Sequence, residues 1–448
     1  MNVNDEYTVR IEKLSNLGAG IARVDNQVIF VENVCPEDVV KVKITKLNKN
    51  FANAKVIEIL TPSQYRIKPF CPMQNVCGSC QIQFIDYNYQ LELKKQIVED
   101  AMKNIGNLTT KVNDPIASPE TKSYRHKIQY PVSQTKVSER ILAGYYKPKT
   151  HEIVNIKYCP IQPKICDDIV EFIRDMAPKL NISGYNEKLH KGDLRHIVIR
   201  YSSFNKKCLV TLVVNSTKAI EKYQKLAHLI FEGFVDVTGV CLNFNKQKTN
   251  VILGAETVCI CGDDYIEEKI LDKYFKIGAD TFFQVNPKSA ENIFEYVKKE
   301  ISKYNNPTVL DAYAGIAAFG IVISDVCKNV VSVEENKNSI KKAYEALEIN
   351  NVKNVELHAK DTTKYLQSIK KKFDITILDP PRKGCTKESL DETLKHTKEK
   401  IIYVSCNPAT LARDLKYLSE NGCTVESIQP FDMFCHTYHI ENVATIRV

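Results

Sequence analysis

The sequence predicts an α/β fold in three parts, on three features. From about residue 266 to 448, short β-branched strands alternate with helical stretches, the order of a parallel sheet wrapped by helices. Residues 1–62 instead alternate apolar and polar positions with period two, in runs parted by turn residues. Residues 63–265 mix the two patterns and read as α+β. A chain of 448 residues accommodates roughly two to four domains at about 100–200 residues each.

Composition narrows the class. With 44% hydrophobic and 26% charged residues, the chain is neither a low-complexity scaffold nor disordered. It contains no uninterrupted apolar run of about 18 residues, so no membrane span is expected. The polar opening MNVNDEYTVR lacks the apolar stretch of a signal peptide. A cytoplasmic protein is expected, and no feature demands more than a monomer.

In the first part, YTVRIEKL, IARVDNQVIFVENV, DVVKVKITKL and FANAKVIEIL read as strands, separated by turns at Leu17–Gly20 and Cys35–Asp38. Short strands so spaced predict a small OB-like barrel, an architecture that often binds nucleic acid.

The second part holds an amphipathic helix around Tyr89–Ile105, with Leu93, Ile97, Ala101 and Ile105 at i, i+4 spacing, and strands at HIVIRY and CLVTLVVN. Between Thr121 and Pro160 lie 8 Lys/Arg against 2 Asp/Glu, interleaved with Tyr124, Tyr130, Tyr145, Tyr146 and Tyr158. Cations beside aromatic faces suit single-stranded or looped RNA; a solvated strand face with buried tyrosines would show the same pattern. The net charge of +8 by itself says little about partners.

Fifteen cysteines without an export signal argue against a disulfide framework and for metal binding or nucleophilic chemistry. The densest group is Cys71-x5-Cys77-x2-Cys80, with Cys159-Pro160 available as a fourth thiolate. Four thiolates can hold tetrahedral zinc or an iron–sulfur cluster, and spacing does not separate the two.

In the third part, TVLDAY, VVSVE, NVELHA, DITILDP and KIIYVSC read as strands. Ligands of such sheets bind outside the carboxyl ends of the strands. Asp311, Tyr313 and Gly315 follow the first strand; Glu334 ends the second, where an acid can hold ribose hydroxyls. Asp361 follows the third, and Asp379-Pro380-Pro381-Arg382 forms a rigid turn after the fourth. The turn Ala314–Ala318 lacks the G-x-G-x-x-G run that cradles a pyrophosphate, so an adenosine without phosphates, as in S-adenosylmethionine, suits the rim better than a nucleotide. Finally, KIIYVSC delivers Cys406 to a point where Pro408 ends the strand. It is either a core cysteine or a nucleophile presented at the rim.

Together these residues resemble the RNA uracil-5 methyltransferase family, which makes 5-methyluridine with S-adenosylmethionine; the resemblance spans nearly the whole chain. It implies a Rossmann-like class I methyltransferase domain at 266–448, a TRAM barrel at 1–62, and a central α+β domain at 63–265 with a [4Fe-4S] site at Cys71, Cys77, Cys80 and Cys159. TFFQVNP, LDAYAG, VVSVE, LDPPRKG, YVSCNPATLARDL and DMFCHTYHIENV match in order. By that resemblance Gln284, Tyr313, Glu334, Asp361 and Asp379 surround cofactor and target base, Cys406 is the nucleophile and Glu441 the general base. An iron–sulfur site with a TRAM-like barrel favours 23S ribosomal RNA as substrate, with transfer RNA the alternative. Three positions depart from the family pattern: Ala317 replaces a glycine, Cys435 a proline and Ser79 a glycine. A class that methylates exocyclic amines fits less well, because Arg382 follows Pro-Pro where that class has an aromatic residue. A non-catalytic RNA-binding protein is the rival from a different functional class.

Overall fold

The structure, a computed structural model, describes residues 1–135 and 137–448. Lys136, one of the eight basic residues of the 121–160 segment, lies outside the described residues.

The first six strands are β1 (Glu6–Arg10), β2 (Lys13–Leu14), β3 (Gly20–Val24), β4 (Gln27–Val31), β5 (Val39–Leu47) and β6 (Phe51–Thr61). β1 and β2 are successive halves of one strand, the first paired with β5 and the second with β3, so the sheet β1-β5-β6-β4-β3-β2 closes on itself as a barrel. The period-two residues Val9, Ile29, Val40, Val42 and Ile44 fill its interior.

Helix α1 (Tyr87–Ala101) starts where the Asp86 carboxylate accepts the backbone N–H groups of Asn88 and Tyr89. It runs on as a π-helical turn, Met102–Gly106. That wider turn rotates Ile105 off the apolar stripe expected for it, leaving it 42% exposed.

The central elements are β7 (Lys127–Gln134), β8 (Ile141–Ala143), α2 (Lys164–Lys179), β9 (Leu194–Tyr201), β10 (Cys208–Val214), α3 (Glu221–Gly233), β11 (Val237–Phe244) and β12 (Glu256–Gly262). They form one sheet ordered β12-β11-β10-β9-β7-β8, with α2 and α3 packed on one face. Tyr124 and Tyr130 are buried in that core, so two of the five interleaved tyrosines offer no stacking face. A hairpin follows, β13 (Tyr265–Ile270) and β14 (Lys273–Gly278), then α4 (Pro287–Ile301).

The last part runs β15 (Thr308–Ala312), α5 (Ala318–Val322), β16 (Asn329–Glu334), α6 (Lys337–Ile349), β17 (Val355–Ala359), α7 (Thr362–Gln367), β18 (Phe373–Leu378), α8 (Lys387–His396), β19 (Thr397–Ser405), α9 (Pro408–Glu420), β20 (Thr424–Phe431) and β21 (Glu441–Arg447). The seven strands are ordered β17-β16-β15-β18-β19-β21-β20. The sheet is parallel but for β21, which returns antiparallel between β19 and β20. Apolar side chains pack both faces, as the near-continuous burial of β15, β18 and β19 requires. On one of these faces α1 and its π turn pack against α9, so a helix that precedes the central sheet belongs by packing to the last one. Among the described residues no helix is long and apolar enough to cross a membrane.

Candidate active site

The strand order brings the carboxyl ends of β15, β16, β18 and β19 to one rim, and β21 begins there. Ser405 of β19 pairs with Asn442 of β21. Cys406 directly follows Ser405 and Glu441 directly precedes Asn442, so both lie where this pairing ends, and Glu441 acts electrostatically on the Cys406 thiol. Two residues 35 positions apart in sequence thus meet because β21 reverses beside β19.

Their surroundings are buried and acid-rich. Glu441 is 7% exposed; burial, reinforced by the nearby Asp379, pushes its carboxyl up to about 8, against the pull of Arg382. Burial and the facing Glu441 push the Cys406 thiol up to about 11, while the Arg382 guanidinium acts in the opposite direction. Asp379, just past β18, is raised to about 7 by burial and by Asp311. Asp311 itself is fully buried and raised to about 7 by the same desolvation, though Ser332 Oγ (2.9 Å) and the Gly320 N–H (3.0 Å) donate to one of its oxygens. Its other oxygen has no partner.

Glu334, Tyr313 and Asp361 lie together at the same rim, where Asp361 acts on the Tyr313 hydroxyl. Glu334 accepts the backbone N–H groups of Gly315 (2.9 Å) and Asn336 (2.8 Å), one on each oxygen, which leaves lone pairs on both for ligand hydroxyls. Asp361 caps α7 by accepting the Lys364 N–H at 2.9 Å. Gln284 sits half-buried two residues before Asn286, which caps α4. Tyr313 turns its hydroxyl to Ser389 Oγ at 2.8 Å, so its hydroxyl is already engaged by α8. Between Tyr313 and α5 the chain takes three left-handed residues, Tyr313, Gly315 and Ala317 (φ 60°, 57° and 57°). A Cβ on Gly315 would meet no atom within 4 Å, so the turn borders open space there. Ala317, by contrast, is fully buried, its methyl packed into the core behind the rim.

One site residue carried no sequence signal of its own. His439, two residues before Glu441, is held down to about 4 by burial and by Arg382. Its position in the DMFCHTYHIENV run was the available clue.

The four expected metal-ligating cysteines, Cys71, Cys77, Cys80 and Cys159, line one cavity with Tyr145 and Pro160. Burial raises the thiols of Cys77, Cys80 and Cys159, and the four influence one another electrostatically. Ser79 acts to lower the Cys77 thiol and the Ile161 backbone that of Cys159, each against the larger effect of burial. Among the described residues, however, no three His, Cys, Asp or Glu side chains converge as the ligand set of one ion.

Comparison with known proteins agrees with this architecture. The sequence profile of the tRNA (Uracil-5-)-methyltransferase family matches residues 86–447, and that of the TRAM domain matches residues 2–57. An uncharacterized RNA methyltransferase of Clostridium tetani is 36% identical, over 98% of this chain and 96% of its own length. Another, from Oceanobacillus iheyensis, is 35% identical over 100% of this chain and 98% of its own. Among solved structures, the Pyrococcus abyssi tRNA (uracil-54, C5)-methyltransferase in complex with S-adenosyl-L-homocysteine superposes with a TM-score of 0.78 at 26% identity, covering 98% of this chain and all of that one. An N-terminal TRAM barrel and a class I sheet of this strand order, with homologues along the whole chain, place the protein in the tRNA (uracil-5-)-methyltransferase family, as an S-adenosylmethionine-dependent RNA methyltransferase.

Proposed function

We propose that the protein methylates C5 of a uridine in folded RNA, with Cys406 as nucleophile and Glu441 as general base. The observation that carries this reading is a thiol and a buried carboxyl brought together where β19 and β21 pair at the rim, the carboxyl acting on the thiol. When bound, S-adenosylmethionine supplies a methyl group on a sulfonium sulfur. Uracil C5 is too weak a nucleophile to take that methyl unaided. The Cys406 thiolate would add to C6 and shift the C5=C6 electron pair onto C5 and O4; C5 would then take the methyl carbon as the methyl–sulfonium bond breaks, its electron pair staying on the sulfur of the neutral thioether product. Glu441 then accepts the C5 proton, the C6–S bond breaks, the double bond re-forms and the thiolate is free again. Arg382 serves both ends: it eases ionisation of Cys406 and faces the charge that develops on the uracil oxygen. A paired uracil hides C6, so the target is looped or flipped out.

The rim fits the cofactor. Gly315 leaves room for it, Glu334 has free lone pairs for ribose hydroxyls, and Asp361 and Tyr313 lie beside them, while Gln284 is assigned to the cofactor by the TFFQVNP motif. The orphaned oxygen of Asp311 and the raised acid of Asp379 lie where a sulfonium charge would be welcome.

The four cysteines are assigned to a [4Fe-4S] cluster. The four thiols line one cavity and influence one another electrostatically, as a shared thiolate-bound group requires. Anaerobically purified protein should show thiolate-to-iron absorption in the visible; stoichiometric zinc would refute the assignment.

As substrate we assign 23S ribosomal RNA; the likeness to a tRNA (uracil-54, C5)-methyltransferase makes transfer RNA the second reading. Covalent trapping on 5-fluorouridine-substituted RNA with labelled S-adenosylmethionine tests reaction and target together. Fluorine cannot leave C5 as a proton does, so a denaturation-resistant, methyl-labelled protein–RNA band is expected with ribosomal RNA and not with Cys406→Ala. A band with transfer RNA alone would move the target, and none with either RNA would favour a binding protein.

A further inference from the structure

Tyr313, at the turn after β15, holds a backbone conformation that its residue type disfavours. Its φ of 60° is left-handed, a region that bulky residues enter only when their surroundings hold them there. The neighbouring backbone shows what the turn achieves. The Ala314 N–H donates to the Val333 carbonyl at 3.0 Å and the Gly315 N–H to Glu334 Oε2 at 2.9 Å, so the turn is laid against the end of β16. Just before Tyr313, the Ala312 carbonyl accepts the Asp379 N–H at 3.4 Å. Tyr313 therefore stands between the acid assigned to the ribose and the turn that carries Asp379.

A side chain from another element holds it. The Tyr313 hydroxyl and Ser389 Oγ share a hydrogen bond of 2.8 Å. Ser389 is the third residue of α8 and only 1% exposed. A helical serine ordinarily turns its hydroxyl to water or to the backbone one turn earlier. Burial closes the first course, and the bond to Tyr313 replaces the second. The Ser389 backbone is itself fixed: its N–H donates to Thr386 Oγ1, the cap of α8, at 3.1 Å, and its carbonyl accepts Thr393 Oγ1 at 2.8 Å. Cys385 lies beside the pair; burial pushes its thiol up to about 11, against the Tyr403, Tyr313 and Ser389 hydroxyls, which lower it. The hydroxyl that reaches Tyr313 thus comes from a fixed point, at the start of the helix that follows the Arg382 turn.

We infer that Ser389 is a positioning residue for S-adenosylmethionine: by holding Tyr313 left-handed, it keeps the Gly315 N–H on Glu334 and the carboxylate in place for the ribose hydroxyls. The inference rests on the cofactor placement proposed above and adds to it a residue of α8 that need not touch the cofactor.

The test is calorimetric binding of S-adenosyl-L-homocysteine to the native protein, Ser389→Ala, Tyr313→Phe and the double variant, with Glu334→Gln as a control on the placement. Each of the first two should raise Kd about tenfold, equivalent to about 1.4 kcal/mol. The double variant should lose no more than either, because both substitutions delete the same bond. In methylation assays the KM for S-adenosylmethionine should rise about tenfold for Ser389→Ala, and kcat far less. Native affinity in Ser389→Ala would overturn the inference however far its melting temperature falls, since the bond would then serve stability alone. Additive losses in the double variant would overturn it as well. If Ser389→Ala does not fold, Tyr313→Phe decides, because it deletes the same bond and keeps the ring packed on the core; native affinity there would overturn the inference. Glu334→Gln separates the two failures. Weak binding by Glu334→Gln with native binding by Ser389→Ala upholds the placement and removes the role of Ser389, whereas native binding by Glu334→Gln removes the placement itself.

Discussion

Glu441 is a base that burial keeps protonated at neutral pH, and this makes the proposed chemistry measurable. A carboxyl held near 8 is mostly in its acid form at pH 7, and only the carboxylate can take the C5 proton. Proton removal should therefore slow about tenfold for each pH unit below 8 and level off above it, as read in single-turnover product release. Glu441→Gln should leave C6 addition and methyl transfer intact but stop elimination. A methylated covalent adduct should then accumulate on unmodified RNA; free 5-methyluridine at the native rate would exclude Glu441 as the base. Stability carries the opposite sign. Asp311, Asp379 and Glu441 bind protons more tightly folded than unfolded, so their contribution is greatest below the ordinary carboxylate range and is lost as pH rises from about 4 towards 7–8. Apparent melting temperature of the ligand-free protein should fall over that window, and Glu441→Gln should flatten the fall. Ala317 belongs to the same scale. A left-handed alanine is strained by about 1–2 kcal/mol relative to glycine, but its buried methyl returns about 0.8 kcal/mol. The methyl offsets part of the strain and leaves a net cost of about 0.2–1.2 kcal/mol, small enough for the fold to carry.

At the scale of elements, the turn after β18 is held from α9, and this gives the ARDL end of the YVSCNPATLARDL motif a physical role. Asp414 accepts the Cys385 N–H (2.9 Å) and the Tyr403 hydroxyl (2.7 Å) on one oxygen and Arg413 Nε (2.8 Å) on the other. Arg413 in turn donates to the carbonyls of Lys383 and Cys385. Between them lies Gly384, with φ 73°, where a Cβ would come within 2.5 Å of Asp414 Oδ2 and 2.7 Å of Arg413. Pro380-Pro381-Arg382 is thus clamped to the helix that starts just after Cys406, so Arg382 and the thiol are fixed by one element. Asp414→Ala strands two buried donors and should cost about 2–6 kcal/mol, at about 1–3 kcal/mol for each. It should also let Arg382 drift, lowering the adduct-forming rate about tenfold while S-adenosylmethionine binding holds. Calorimetric melting and single-turnover trapping read the two effects separately; loss of stability without loss of rate would reduce the clamp to a structural role.

Across the whole molecule, what the sequence made legible was local. Period-two runs marked the barrel, β/α alternation marked the last sheet, and acids at strand ends marked the rim, because each pattern lies within a few consecutive residues. The reversal of β21 was not legible, since the pairing that brings Cys406 and Glu441 together depends on strand order and not on local pattern. The fate of Tyr124 and Tyr130 was equally hidden, because alternation assigns two faces but does not say which is covered. Least legible is the bond holding the parts together. Lys94 on α1, wholly buried, donates to Asp432 Oδ1 at 2.6 Å and to the Phe434 carbonyl at 3.0 Å, across 338 residues of sequence. The Tyr87 hydroxyl donates to the other Asp432 oxygen and accepts the Ser118 N–H, while Gln90 bonds His436, itself left-handed at φ 64°. Ile82, just beyond the cysteine loop, donates to the His436 carbonyl at 3.0 Å. The loop from Asp432 to Ile440 that carries the chain to Glu441 is therefore fastened to α1, to the cysteine segment and to the central domain at once. Removing one partner of a buried pair leaves an uncompensated charge and costs about 3–5 kcal/mol, whereas replacing both by apolar residues is often close to neutral. Lys94→Met should accordingly melt well below the native protein, and Lys94→Met with Asp432→Leu should recover part of the difference, since the Tyr87 hydroxyl then loses its acceptor. The double variant isolates the positioning role, because it can fold without the polar tie. Its adduct with RNA should form at near the native rate and resolve slowly, since Cys406 is untouched while Glu441 is less firmly held. Native resolution kinetics in a stable double variant would show that β21 pairing alone positions the base.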